Sequence, residues 1–127
     1  MELRYSLDHH WVRRDSKERI TVGLSDFAQR EMGEVAYLEL PEVGTRVAAG
    51  AAVSAIESLK SAGELYAPVG GTIVARNEQL ARGGGRLINR DPLGAGWLFV
   101  MEMDDPGEFE TLLSASEYAL RTTGDLL

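Results

Sequence analysis

Short runs of apolar residues, separated by glycine and proline, fill most of the first hundred positions of the chain. Most of these runs alternate apolar with polar residues, which is the period of a strand that buries one face. The pattern predicts a mainly β protein whose strands pack as a small sandwich or barrel. The predicted strands cover positions 5–7, 11–13, 20–24, 35–40, 53–56, 65–66, 72–75 and 97–103.

One early segment carries the signals of a helix instead. Ser25 is a suitable N-cap residue, and Gly33 is a suitable residue to end the helix. Between them, Phe27 and Met32 would lie on one apolar side. We therefore expect a β core over residues 5–103 that is interrupted by one early helix.

The C-terminal part of the chain changes character. Asp105 and Ser114 each precede a glutamate by three residues, as the N-cap residue of a capping box does. Pro106 also suits the first position of a helix. We therefore expect two short helices over residues 105–121 that cover one side of the strands, and a chain that frays after Arg121.

Composition bounds the kind of protein. The chain has 127 residues, of which 44% are hydrophobic and 26% are charged, which suits one domain with one core. No apolar run approaches the roughly 20 residues of a membrane helix, and the N-terminus lacks a secretion signal pattern. We expect a cytoplasmic protein with no membrane partner. The sequence is also compatible with the mature form of a protein of the mitochondrial matrix. The net charge of -7 argues against a nucleic-acid partner, because such binding depends on clustered lysine and arginine.

The residues suited to metal binding or nucleophilic catalysis are few. The chain has no cysteine, and its two histidines are the adjacent His9 and His10. It therefore has no thiolate nucleophile or thiolate metal ligand, and adjacent side chains in a strand point to opposite faces. We expect no metal site and no catalytic residue, so any redox-active sulfur would have to come from a cofactor.

Lysine is the informative residue type. Thirteen residues are lysine or arginine, and only Lys17 and Lys60 are lysines. Arginine stays protonated, whereas a lysine amine can lose its proton and be acylated. Lys60 falls between the predicted strands 53–56 and 65–66, which places it at the tip of a hairpin. Exposed loop tips on a rigid sheet commonly carry function, so Lys60 is the predicted site of modification.

Five blocks of the sequence resemble the H protein family of the glycine cleavage system, in the order in which that family has them. They cover residues 5–12, 21–29, 35–44, 57–62 with 66–71, and 89–98. The block that contains Lys60 resembles the hairpin on which the family carries lipoyl. Biotin carrier domains are a competing family, but they have methionine on both sides of the modified lysine, where this chain has Leu59 and Ser61.

The resemblance implies a fold of the lipoyl/biotinyl type, a hybrid barrel-sandwich with a lysine-bearing hairpin and C-terminal helices, in one lipoyl-carrier domain over residues 1–127. It implies lipoic acid bound covalently to Lys60. The residues through which the hairpin would be recognised are Glu57, Ser58, Leu59, Ser61 and Ala62.

The function implied by the resemblance is that of a shuttle without catalytic activity of its own. The lipoyl arm would take an aminomethyl group from the pyridoxal-phosphate glycine decarboxylase (P protein) to the tetrahydrofolate-dependent aminomethyltransferase (T protein). Electrons would pass to dihydrolipoamide dehydrogenase (L protein), and a lipoyl-attaching enzyme would load the lysine. An alternative is an H-like protein that relays lipoyl groups to other complexes.

Departures from the family pattern support that alternative. His10 stands where the family usually has a glutamate, and Glu64 stands at the position of a second acidic residue. By the resemblance, this pair would contact the loaded arm. A histidine becomes cationic below about pH 6.5, so we expect arm docking that is weaker or dependent on pH. Arg90 and Leu93 also replace an acidic and an aromatic residue, and Ala95 replaces another acid.

Overall fold

The computed structural model describes residues 2–124 and contains nine strands in two antiparallel sheets, together with short helices. The strands are β1 Leu3–Tyr5, β2 His10–Arg14, β3 Arg19–Leu24, β4 Val35–Leu38, β5 Arg46–Val47, β6 Ala52–Ser58, β7 Ala62–Tyr66, β8 Gly71–Arg76 and β9 Phe99–Met103. The helices are α1 Asp26–Met32, α2 Glu78–Ala81, α3 Arg86–Arg90, a 3-10 helix at Pro106–Thr111, and α4 Ala115–Gly124.

The two sheets differ in size and in role. The larger has the strand order β1-β2-β3-β9-β8-β5, and the smaller has the order β4-β6-β7. Buried residues from both sheets form one apolar core, which includes Val22, Ile56, Leu65, Phe99 and Met101. The smaller sheet carries the β6–β7 hairpin, so its strands are fixed on the core and its turn projects from it. The predicted mainly β class is confirmed.

Most predicted strands are present. Some of them end at other residues than predicted, because the chain turns there. The first strand ends at Tyr5 instead of continuing to residue 7, because the backbone turns back between Ser6 and His10. His9 lies in this turn with a φ of 67°, so His9 and His10 are not neighbours within one strand. The prediction that both histidines lie in a strand is therefore wrong for His9.

Two helices were absent from the sequence prediction. The core over residues 5–103 contains the expected early helix α1, and it also contains α2 and α3, which the sequence did not predict. Both are shorter than two turns, which leaves too few residues to show a helical period. Asn77 begins α2, since its side-chain oxygen accepts the backbone N–H of Gln79.

Both predicted ends of α1 and the predicted start of α4 agree with the structure, whereas the predicted end of α4 does not. Ser25 caps α1 by accepting the backbone N–H of Ala28, and Gly33 follows its last residue. Ser114 and Glu117 exchange the two bonds of a capping box before α4. This helix continues to Gly124, beyond the predicted end at residue 121, and residues 125–127 lie outside the described part.

The helix α4 is attached to the larger sheet through Tyr118. Its ring stacks on Tyr5 at a centroid distance of 4.3 Å, and its hydroxyl lies 2.7 Å from both the Ser25 Oγ and the His9 Nδ1. Tyr118 therefore joins α4, the β1–β2 turn and the beginning of α1. Among residues 2–124, none of these helices combines the length and the apolarity needed to cross a membrane.

Candidate functional site

Lys60 lies at the tip of the β6–β7 hairpin, as predicted. The hydroxyl oxygen of Ser58 accepts the backbone N–H groups of Lys60 at 3.2 Å and of Ser61 at 3.0 Å. The Ser58 backbone N–H also donates to the Ser61 carbonyl at 2.8 Å. A serine side chain thus closes the turn by satisfying backbone groups that have no strand partner. Lys60 is exposed on this ordered turn.

The structure brings the other predicted recognition residues together on the same hairpin. Glu57 is exposed on β6, and Ala62 begins β7 directly opposite it. Leu59 is 73% exposed although it is a large apolar residue. A single exposed leucine needs no partner to explain it, so recognition of these residues by a partner stays a prediction.

The end of α1 supports one side of the tip. The Leu59 backbone N–H donates to the Glu34 carbonyl at 3.1 Å. Gly33 has a φ of 85°, in the region that favours glycine. A Cβ atom at this position would lie 3.1 Å from the Cε of Lys60. The aliphatic part of the lysine side chain therefore packs on the Gly33 backbone, so closely that a Cβ atom there would require it to shift by a few tenths of an ångström.

Asn89 holds this supporting segment in place. Its Nδ2 donates to the Gly33 carbonyl at 2.8 Å, and its Oδ1 accepts the Val35 backbone N–H at 2.9 Å. The same Nδ2 lies 3.1 Å from the Gln29 Oε1. Asn89 thereby connects α3 to the segment around Gly33, which contacts the Lys60 side chain. Sequence reasoning missed these contacts: Gly33 was predicted only to end α1, and the one signal for Asn89 was its place in the block 89–98 that resembles the family.

His10 lies inside the protein at the beginning of β2. It is 1% exposed, and its Nε2 accepts the backbone N–H of Tyr66 at 3.0 Å. This bond joins β2 to the last residue of β7. Glu64 is two residues earlier on β7 and is exposed. In this structure His10 supports the strand that carries Glu64, and a contact of either side chain with a loaded arm stays a prediction.

The environment of His10 sets its charge. Burial lowers the pKa of His10 from 6.5 to about 4, while the nearby Gly23 carbonyl opposes this shift and His9 adds to it. Because Nε2 accepts a hydrogen bond, the ring proton is on Nδ1, which has no partner with hydrogen-bond geometry among the described residues. The expectation that His10 becomes cationic near pH 6.5 is therefore wrong, since a buried imidazolium would lose its hydration.

Comparisons with known proteins agree with this geometry. The family model described as "Glycine cleavage H-protein" matches residues 3–124. The glycine cleavage system H protein of Mycobacterium leprae is 46% identical over 121 residues, which cover 92% of this chain and 91% of the relative. That of Aeromonas hydrophila is 44% identical over 117 residues, which cover 92% and 90%.

A solved structure supports the same assignment. The crystal structure of a glycine cleavage system H protein from Mycobacterium marinum matches with a TM-score of 0.85 and 35% identity, over 96% of this chain and 97% of that one. The sequence match and the structural match both extend over nearly the whole chain. The chain therefore belongs to the glycine cleavage H-protein family, the lipoyl carriers of the glycine cleavage system.

Proposed function

We propose that this protein carries lipoyl in amide linkage to the Nζ of Lys60 and shuttles an aminomethyl group and electrons between the enzymes of glycine cleavage. The observation that carries the proposal is the position of Lys60 on an exposed turn that Ser58 holds in one conformation. An exposed amine leaves space both for an attaching enzyme and for the arm. Acyl transfer from an activated lipoyl group would form the amide and release the activating group and a proton.

The residues around Lys60 would position the arm. The β6–β7 pairing fixes the direction in which the hairpin projects, and Gly33 lets the lysine stem lie against the end of α1. Bound lipoyl would supply the disulfide sulfurs that accept the aminomethyl group and electrons. This division of labour suits a chain without cysteine, because the protein supplies position and docking surfaces.

The partners follow from the family. They would be the glycine decarboxylase (P protein), the aminomethyltransferase (T protein), dihydrolipoamide dehydrogenase (L protein) and a lipoyl-attaching enzyme. The chain itself would act as a carrier without catalysing a step, and it would work in the cytoplasm. Glu64 would contact the loaded arm, since it is exposed on the strand that leads away from the hairpin tip.

Reconstitution with the partner enzymes tests the function. Lipoylated wild-type protein, mixed with the decarboxylase, the aminomethyltransferase and the dehydrogenase in the presence of tetrahydrofolate and NAD+, should support glycine-dependent NADH formation. The Lys60→Arg variant should support none, because arginine is not an acyl acceptor. Lys17→Arg is the matched control, since Lys17 is also exposed and lies in the β2–β3 turn. Full activity of Lys60→Arg, or none with the wild type, would contradict the proposal.

A further inference from the structure

A cleft lies directly beside the lysine hairpin, on the side of β4. It has a volume of about 780 Å³, and it is bounded by β4, by Leu59 and by residues of the segment 80–90. Tyr37 and Leu59, two of its lining residues, are 53% and 73% exposed. The strand β4 is also an edge strand of the smaller sheet. The cleft thus combines exposed apolar side chains with a sheet edge, next to the residue that precedes Lys60.

The charges that line this cleft are mainly positive. Arg86 and Arg90 lie on it, and among the residues that the structure describes the only acidic lining residue is Glu34, which pairs with Arg86 at 3.3 Å. A smaller adjoining cleft shares these three residues and adds Arg30, which pairs with Asp26 at 3.2 Å. Arg90 is exposed and makes no ion pair with any residue in the described range 2–124. Because Arg86 and Arg30 are both paired with carboxylates, Arg90 supplies the positive excess on this surface, in a chain with a net charge of -7.

The opposite sign is found on the hairpin itself. Glu57 and Glu64 are both exposed, on β6 and β7 respectively. Glu57 is the register partner of Tyr37 on β4 and so lies on the cleft side, whereas Glu64 is on β7, which β6 separates from β4. The charge separation is therefore between Glu64 on the far strand of the hairpin and Arg90 on the cleft. A partner with the complementary arrangement would be oriented by this charge separation, because complementary charge fixes register and speeds association.

We propose that the arginine-lined cleft docks an acidic segment of the enzyme that attaches lipoyl to Lys60. The unmodified lysine is short, so an attaching enzyme has to bring its active site against the hairpin tip. Because the cleft begins at Leu59, an attaching enzyme that contacts the hairpin tip also covers the cleft. The proposal rests on the proposed function of Lys60.

The rate of lipoyl attachment tests this docking site. Unmodified protein is incubated with the lipoyl-attaching enzyme of the same organism and its activated lipoyl donor, and the product is followed by intact mass. Arg90→Glu should lower kcat/KM for the carrier about tenfold at low salt, chiefly through a higher KM. The loss should shrink at about 0.5 M salt, where the Debye length is only a few ångströms. Arg90→Gln should show a smaller loss in the same direction.

Arg121→Glu is the matched control. Arg121 is exposed and, like Arg90, is a basic residue in the last turn of a helix, so both variants carry the same change of charge and the same helix-terminal cost. Circular dichroism confirms that the variants are folded. Equal attachment rates for Arg90→Glu and Arg121→Glu would overturn the docking proposal, as would a loss for Arg90→Glu that salt does not change. Failure of the wild type itself to gain lipoyl on Lys60 would instead overturn the proposed function.

Discussion

Gly33 lies directly against the aliphatic part of the Lys60 side chain. Alanine at this position would have to adopt a φ of 85°, and its Cβ would lie 3.1 Å from the lysine Cε. We expect Gly33→Ala to lower the free energy of unfolding by about 1–2 kcal/mol through backbone strain. We also expect slower lipoyl attachment, because the lysine stem has to move. Urea denaturation and mass-monitored attachment measure the two effects.

Gly44 provides the matched control for Gly33. Its φ is 95°, and a Cβ there would have no neighbour within 4 Å. Gly44→Ala should therefore lose a similar amount of stability while accepting lipoyl at the wild-type rate. If the two variants have equal attachment rates, the contact between Gly33 and Lys60 does not position the lysine.

His10 should make stability depend on pH. Its pKa is about 4 in the folded protein and 6.5 when the residue is solvated, so the unfolded chain binds the proton more tightly. The contribution of neutral His10 is fully present above pH 6.5 and is lost as the pH falls toward 4. The loss amounts to about 3 kcal/mol across that range. Denaturation curves at pH values from 7.5 to 4.5 measure it.

Carboxylates also titrate in this range, so the test for His10 is a comparison of variants. His10→Gln removes the titrating group and keeps a possible acceptor for the Tyr66 N–H, and its stability should fall less steeply with decreasing pH. His9→Gln, which changes the half-buried neighbour, serves as the control and should keep the steep dependence. Parallel curves for wild type and His10→Gln would contradict the buried neutral state.

At the scale of elements, Tyr118 holds the C-terminal helix on the sheet. Tyr118→Phe keeps the ring that stacks on Tyr5 and removes the hydroxyl that lies 2.7 Å from Ser25 and from His9. We expect a loss of about 1–2 kcal/mol in the free energy of unfolding, from two hydrogen bonds. Amide exchange should become faster in α4 before it does in the central strands.

Tyr37 is the control for this substitution. It is 53% exposed on β4, so Tyr37→Phe should leave the stability unchanged. Unchanged exchange in α4 of Tyr118→Phe would mean that stacking alone attaches the helix.

The sequence predicted those elements whose signal is local. Ser25 and Gly33 marked the ends of α1 because capping depends on residue type and spacing. The helices α2 and α3 escaped prediction because they are too short to show a period. Asn77 caps α2, but its side chain also donates to the carbonyls of Ala95 and Trp97, which only the folded chain brings near.

At the scale of the whole molecule, the features of the site that depend on local sequence were predicted, and those that depend on contacts in the folded chain were not. The hairpin position of Lys60 followed from the strands on either side. The state of His10 did not, because its low pKa arises from burial between β2 and β7, which the sequence does not show. The support of Lys60 by Gly33 and Asn89 also escaped prediction, since residues from α3 and the end of α1 meet only in the fold.

The central claim is that the molecule exists to present one modified lysine. Intact mass and peptide mapping after incubation with the lipoyl-attaching enzyme test this claim most directly, with Lys17 as an internal control in the same chain. We expect a single lipoyl group on Lys60, an unmodified Lys17, and no modification of the Lys60→Arg variant. Lipoyl on Lys17, or wild-type protein that gains none under these conditions, would contradict the account.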